Sequence, residues 1–281
     1  MRVTVCLLAL AGMAAASPDV VNRAQELYQH TQYQNSLKIL AHDPAPDTAT
    51  YLLTGKNYFM MADYKKATEL FEKCVSLTPN SSEAHLWLGR AWGRRAENST
   101  IMAISYAKKA HQAFEKAVAL NPHNDEAKND LFDYYLNAPG FLGGGIEKAE
   151  ALSRSLAGER PIEHEFEQAQ IAEKRNDMTA AEAHYRRAME LAPHDAGRIM
   201  DVARFLAKHG RFNESDELFE RARKAQPNKP GVNFAEAKVA IDNHRNLERA
   251  RTLLRAYLQT QLTPDDPPRQ EAEKLLKRAG G

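Results

Sequence analysis

Apolar residues recur along this chain at offsets that stay on one helical face. Between Tyr51 and Asn80, Ala67 is followed four positions later by Phe71, three after that by Cys74, and five beyond by Pro79. The same frame returns as Ala110, Phe114, Ala117 and Pro122, as Ala181, Tyr185, Ala188 and Pro193, and as Ser215, Phe219, Ala222 and Pro227. Offsets of four and three align side chains on a helix of 3.6 residues per turn, and the proline then stops it. Upstream of each set, a small or apolar residue precedes a large one by three or four positions: Gly55 and Tyr58, Gly89 and Trp92, Leu131 and Tyr135, Val202 and Leu206. Short polar turns such as Ala62-Asp63-Tyr64, Asn176-Asp177-Met178 and Gly210-Arg211-Phe212 join the two helices. The pattern predicts helix, turn, helix and proline, repeated at about 34 residues.

This register resembles the tetratricopeptide repeat family. The resemblance implies an all-α fold, a right-handed superhelical solenoid of antiparallel helix pairs, with six repeats over residues 48 to 264. Their approximate bounds are 48 to 81, 82 to 124, 125 to 161, 162 to 195, 196 to 229 and 230 to 264. A degenerate helical repeat at 17 to 47 keeps the frame through Leu27, Tyr33, Ser36 and Leu40. Residues 265 to 281 read as a linker and a capping helix from about Arg269 to Ala279, polar enough to cover an otherwise exposed repeat face. Because one repeat cannot bury its apolar face alone, the units are expected to stack on a continuous core as one extended domain. The sixth unit departs from the pattern with Tyr257 at a usually small position, and the fourth has Glu165 and Ala169 in place of an aromatic and a glycine.

The first residues follow another logic. Arg2 precedes a nine-residue apolar run from Val3 to Ala11, and Ala14 and Ala16 supply an A-x-A pattern before Ser17. The run is too short to span a hydrocarbon core of ~30 Å as a helix and reads as a secretory signal peptide, 1 to 16, cleaved after Ala16. The implied location is periplasmic or secreted. Loss of that segment removes Arg2 and Cys6, which leaves 37 basic and 37 acidic residues and Cys74 as the only thiol, read as a small buried residue. Net charge over the whole chain is +1, without the basic surplus of a nucleic-acid binder, so no nucleic acid is expected. Mean hydropathy of −0.58 leaves no room for several membrane spans.

Two units carry insertions in the turn between their helices. Trp92 to Ala110 spans 18 positions where Tyr58 to Ala67 spans 9, which places extra chain near 97 to 106. Its second half suits an extended second helix, with an N-cap within Asn98-Ser99-Thr100. Tyr135 to Ala149 spans 14 positions, and the turn near 138 to 146 reads Ala138-Pro139-Gly140-Phe141-Leu142-Gly143-Gly144-Gly145-Ile146. Its wording resembles turns in exported bacterial members of the family. Such turns emerge on one edge of a solenoid, so Pro139, Phe141, Leu142 and Gly143 are candidates for an edge contact, with Phe141 and Leu142 expected to tuck onto the solenoid.

The family's ligand surface is the concave groove of the first helices. Carried over, it implies Leu52, Lys56 and Phe59, then Leu86, Arg90 and Arg94, then Asn129, Asp133 and Asn137, then Phe166, Gln170 and Lys174, then Met200, Arg204 and Lys208. Lys56, Arg90 and Arg94 suggest a basic strip for an acidic side chain or a C-terminal carboxylate. The lysine and asparagine spacing of the family's carboxylate clamp is absent, since the turn-spaced pair is Leu52 and Lys56. No H-E-x-x-H, cysteine pair, G-x-S-x-G or phosphate-loop motif occurs, so no metal, cofactor or catalytic residue is expected. The reading is a non-enzymatic exported scaffold that binds a protein or peptide through the groove and the insertion-bearing edge. The alternatives are self-association through the solenoid ends, and a small-ligand or accessory enzymatic site near Gly143 to Gly145 with His111, His123 or Tyr134.

Overall fold

The computed structural model describes residues 18 to 280, so the proposed signal segment lies outside the described residues. Fifteen α-helices and one 3₁₀ turn make up the regular structure among them. Contacts group the chain into two compact units, one ending at Pro79 and one beginning at Asn80.

The first unit holds α1 (Pro18–Gln29), α2 (Tyr33–Leu40), α3 (Thr48–Met60) and α4 (Tyr64–Leu77). Asp47 and Asp63 cap α3 and α4 by accepting from the backbone N–H of Thr50 and Lys66. In α1 the buried positions are Ala24 and Tyr28, one residue away from the Leu27 that the sequence frame selects. The reason is polar: the buried Ser36 hydroxyl donates to the Ala24 carbonyl at 2.8 Å and accepts from Asn57 Nδ2 at 2.9 Å, which fixes how α1 sits on α2 and α3. Ala67, Phe71 and Cys74 are fully buried, and the Cys74 Sγ lies 3.7 Å from the Thr48 carbonyl.

The second unit holds α5 (Ser82–Glu97), α6 (Ala103–Leu120), α7 (Asp125–Asn137), α8 (Ile146–Leu156), α9 (Pro161–Lys174), α10 (Met178–Leu191), α11 (Ala196–Lys208), α12 (Phe212–Ala225), α13 (Pro230–Asp242), α14 (Leu247–Gln259) and α15 (Arg269–Arg278). Sequential helices pack as antiparallel neighbours, and α5, α7, α9, α11 and α13 are the first helices of successive pairs. The small and aromatic residues of the sequence frame form the buried seam of each pair, including Ala110 and Ala117, Ala181 and Ala188, and Phe219 and Ala222. Small residues bring the helix axes close, and glycine is required where a ring presses on backbone. A Cβ at Gly89 would lie 2.6 Å from Phe114 Cδ1, and one at Gly55 in the first unit 2.5 Å from Phe71 Cε1. The turns inside the α9/α10, α11/α12 and α13/α14 pairs share a left-handed residue, Asn176, Gly210 and His244 at φ 61°, 76° and 52°, as does the α3/α4 turn of the first unit with Ala62 at 62°.

Both irregular units have physical explanations. Ala169 is fully buried, and Glu165 lies 2.7 Å from His184 Nδ1, so a side-chain hydrogen bond stands where the pattern prefers an aromatic. Tyr257 is fully buried because the next element is not another repeat: its hydroxyl donates to the Pro267 carbonyl and anchors the linker that leads into α15. The insertion after Trp92 lengthens both helices of its pair, to 16 and 18 residues, and leaves a short turn in which Ser99 Oγ accepts from the Met102 N–H.

Candidate interaction trough

Three first helices of the second unit and the facing side of α10 enclose an open cavity of about 600 Å³. Asp133 and Asn137 come from α7, Phe166, Gln170 and Lys174 from α9, and Arg204 and Lys208 from α11, so seven of the sequence-derived groove residues line it together. Helical periodicity places them: 133 and 137, 166, 170 and 174, and 204 and 208 are each four apart, one turn along an exposed stripe. A second cavity of about 600 Å³ shares Arg204 and Lys208 and continues the trough past Met200 to Phe234 and Lys238 on α13. Met200 is 5% exposed and supplies floor more than wall.

The floor is aromatic. Phe166, Tyr185 and Phe205 form a chain of tilted rings with centroids 5.9 and 5.5 Å apart, and the Arg198 guanidinium lies 4.0 Å from the Phe166 centroid. The walls alternate in charge. Glu173 accepts from Lys208 Nζ and from the Tyr185 hydroxyl, each at 2.7 Å, while Arg204 donates to Asp201 at 2.5 Å. In the first cavity, two charges have no such partner among the described residues: Lys174 makes no ion pair, and no cation pairs with Asp133. Asp133 is open to solvent on one side, but the surrounding walls desolvate it, and with the nearby Asp130 they push its carboxyl up to about 6. Behind it, Glu167 is 3% exposed, and burial lifts its carboxyl to about 7 against a Ser153 hydrogen bond and the Arg160 charge.

The remaining groove positions lie elsewhere. Leu86 is 2% exposed and belongs to the core beside Phe114 and Leu131, so it presents nothing to a partner. Arg90 is committed: Nε donates to Asp130 at 2.5 Å, Nη1 reaches Glu126 at 2.9 Å, and the guanidinium stacks on Trp87 at 4.8 Å. Burial opposes its charge, yet Asp130 and then Glu126 outweigh burial and hold its pKa above the usual arginine value. Arg94 is exposed and pairs with Glu97 at 2.7 Å, so both arginines of the basic strip read from sequence are internally neutralised. Asn129 accepts from Arg160 at 3.3 Å. Leu52, Lys56 and Phe59 lie on α3 in the first unit, half-buried, with Phe59 edge-on to Tyr64 at 5.3 Å. Sequence reasoning missed Glu173, Tyr185, Asp201 and Phe205. The signal for one was present, since Glu173 and Lys208 are 35 residues apart, a repeat length, with opposite charge.

The glycine turn is filled rather than hollow. A 3₁₀ turn at Gly140–Leu142 leads to Gly143 at φ 92°, and a Cβ there would lie 2.4 Å from His111 Cε1. A Cβ at Gly144 would overlap the Ala138 carbonyl at 1.9 Å, so these two glycines are sterically required. His111 stacks on Tyr134 at 4.9 Å and 5°, and the Tyr134 hydroxyl donates to the Leu142 carbonyl at 2.8 Å. His123 does not join them; it is exposed in the turn before α7. Pro139 is exposed, Leu142 half-buried, and Phe141 is 70% exposed instead of tucked, because the 3₁₀ turn holds its ring outward while Tyr134 and His111 take the inner space. Among the described residues, no three His, Cys, Asp or Glu side chains gather as metal ligands, and no helix is long and apolar enough to cross a membrane.

Comparison with known proteins agrees with this geometry. Sequence profiles described as Tetratricopeptide repeat match residues 203–267 and, with a second profile, residues 49–81 and 166–195. No curated protein matches the chain. Among solved structures, TTC0263, a thermophilic tetratricopeptide repeat protein of Thermus thermophilus, is similar at 19% identity over 67% of this chain and 97% of its own, with a TM-score of 0.55. A tetratricopeptide repeat protein from Parabacteroides merdae ATCC 43184 is similar at 13% identity over 94% and 98%, with a TM-score of 0.60. At these identities the likeness speaks to fold.

Proposed function

The chain belongs to the tetratricopeptide repeat family, whose repeats generally serve as scaffolds for protein–protein contact, and on that premise we propose a non-enzymatic, exported scaffold that holds an extended segment of a partner protein. The α7 to α13 trough is its seat. Export rests on the Val3 to Ala11 run and the Ala14/Ala16 pattern.

The observation that carries the reading is the trough itself: an open channel with an aromatic floor whose α7 to α11 part has internally paired walls and two charges, Asp133 and Lys174, left for a ligand. An extended peptide suits it, since side chains along one face of a strand repeat every second residue and meet ring, acid and base in turn. Lys208 and Arg204 are already satisfied, so the partner's discriminating contacts are a cation at Asp133 and an anion at Lys174.

The test is capture of a partner by the purified chain, followed by titration calorimetry of the isolated pair with Asp133→Lys and Lys174→Glu. Each reversal is expected to weaken binding about tenfold or more, the order of a charge pair at an interface. Unchanged affinity in both variants would remove the trough as the seat. Arg90 reversal is an unsuitable probe, because it breaks an internal network.

A further inference from the structure

Four of the seven most exposed large hydrophobic residues among the described residues stand in the two insertions: Ile101 at 92%, Phe141 at 70%, Ile104 at 55% and Met102 at 43%. The two insertions are neighbours. Ile104, Lys108 and His111 follow at four and three along one stripe of α6, and the glycine turn rests on His111 through Gly143. Ile104 therefore stands about 10 Å along the helix axis from the point where the Phe141 turn docks.

Cations without anions border these tips. Arg95 stacks on Trp92 and Tyr106, Lys109 lies 4.1 Å from the Trp92 centroid, Lys148 donates to the Gly143 carbonyl at 2.8 Å, and Lys108 is exposed. Among the described residues, none of the four has a carboxylate partner. Of the acids nearby, Glu97 is taken by Arg94, Glu115 faces His111 and Tyr135, and Glu147 has no ion pair among the described residues. Of the trough cations Lys174, Arg204 and Lys208, by contrast, the last two have an acidic partner. Apolar side chains raised on loop tips and ringed by unneutralised cations match an anionic bilayer: the tips enter between headgroups and the cations meet lipid phosphates.

We infer that this edge is a docking surface for an anionic lipid bilayer. The test is hydrogen–deuterium exchange of the full chain with phosphatidylcholine vesicles, with and without phosphatidylglycerol. This localises contact to residues 98 to 104 and 139 to 143, whatever the first residues do at the membrane. The expected result is several-fold slower exchange of both segments with the anionic vesicles alone. That protection disappears in Ile101→Ser/Ile104→Ser/Phe141→Ser, and Lys108→Glu weakens vesicle partition about tenfold. These residues are exposed, so circular dichroism melting is expected to be unchanged in the variants. Absence of protection with either vesicle overturns the inference. So does protection that survives the triple substitution. Protection that appears without vesicles as protein concentration rises, and is lost in the triple variant, would overturn it in favour of a second copy of the chain.

Discussion

Gly89 and Gly93 lie one turn apart in α5, and the structure assigns opposite signs to the same substitution at the two. Replacing glycine by alanine inside a helix gains about 1 kcal/mol from reduced chain entropy. At Gly93 nothing lies within 4 Å of the added Cβ, so the gain stands and Gly93→Ala stabilises by about 1 kcal/mol. At Gly89 the Cβ arrives 2.6 Å from both Phe114 Cδ1 and Cε1. An ordinary carbon contact needs about 3.5 Å, so ring and helix must part by nearly 1 Å. Phe114 is 7% exposed and wedged among Leu86, Leu131 and Tyr134, which leaves it no free direction. Overpacking of this kind costs about 1–3 kcal/mol. The helix-propensity gain is common to both variants, so the difference in stability between them measures that cost directly. Both tryptophans of the chain, Trp87 and Trp92, sit in α5, so urea unfolding followed by tryptophan fluorescence reports this region. Equal midpoints for the two variants, or a Gly89→Ala midpoint above the parent, would refute the claim that a close ring-to-backbone approach sets the helix spacing.

The other predictions concern turns, buried charge and the trough. Ala62→Gly relieves a left-handed alanine that costs about 1–2 kcal/mol and forfeits part of this to chain entropy, so a net gain of about 0.5 kcal/mol is expected by calorimetry. Glu167 binds its proton more tightly when folded, to a pKa of about 7 against 4.5, so its contribution is full below 4.5 and is lost as pH rises toward 7; Glu167→Gln is expected to flatten denaturation midpoints across that window and to stabilise at pH 8 by roughly 1–3 kcal/mol. Arg90→Ala strands Asp130 and is expected to destabilise by about 2 kcal/mol, with part of the loss recovered by adding Asp130→Asn; equal midpoints for the single and double variants would argue against the pair. Binding of a partner cation at Asp133 is expected to weaken as pH falls through about 6, where that carboxylate protonates, and Asp133→Asn is expected to abolish the pH dependence in titration calorimetry.

Much of the architecture was legible because repeat folds are local. Phe71, Phe114, Tyr185 and Phe219 announce the buried seam by spacing alone, since each helix pair packs its own contacts. The trough was legible in part for the same reason: Asp133, Phe166, Gln170 and Arg204 lie on a helix face that periodicity exposes. Leu86 and Arg90 were misplaced because periodicity states which face a residue is on and nothing about its neighbours. Leu86 meets the Phe114 side of the core, and Arg90 finds Asp130, 40 residues away.

The sequence by itself determined the helices, their pairing and the positions of the two insertions, because these follow from short-range sterics and the hydrophobic period. Only the tertiary structure decided which charges cancel, that Phe141 points outward, and that His111 and Tyr134 fill the glycine turn. Charge pairing and side-chain exposure depend on distances between residues remote in sequence. One-dimensional spacing carries no record of those distances until the repeats have packed.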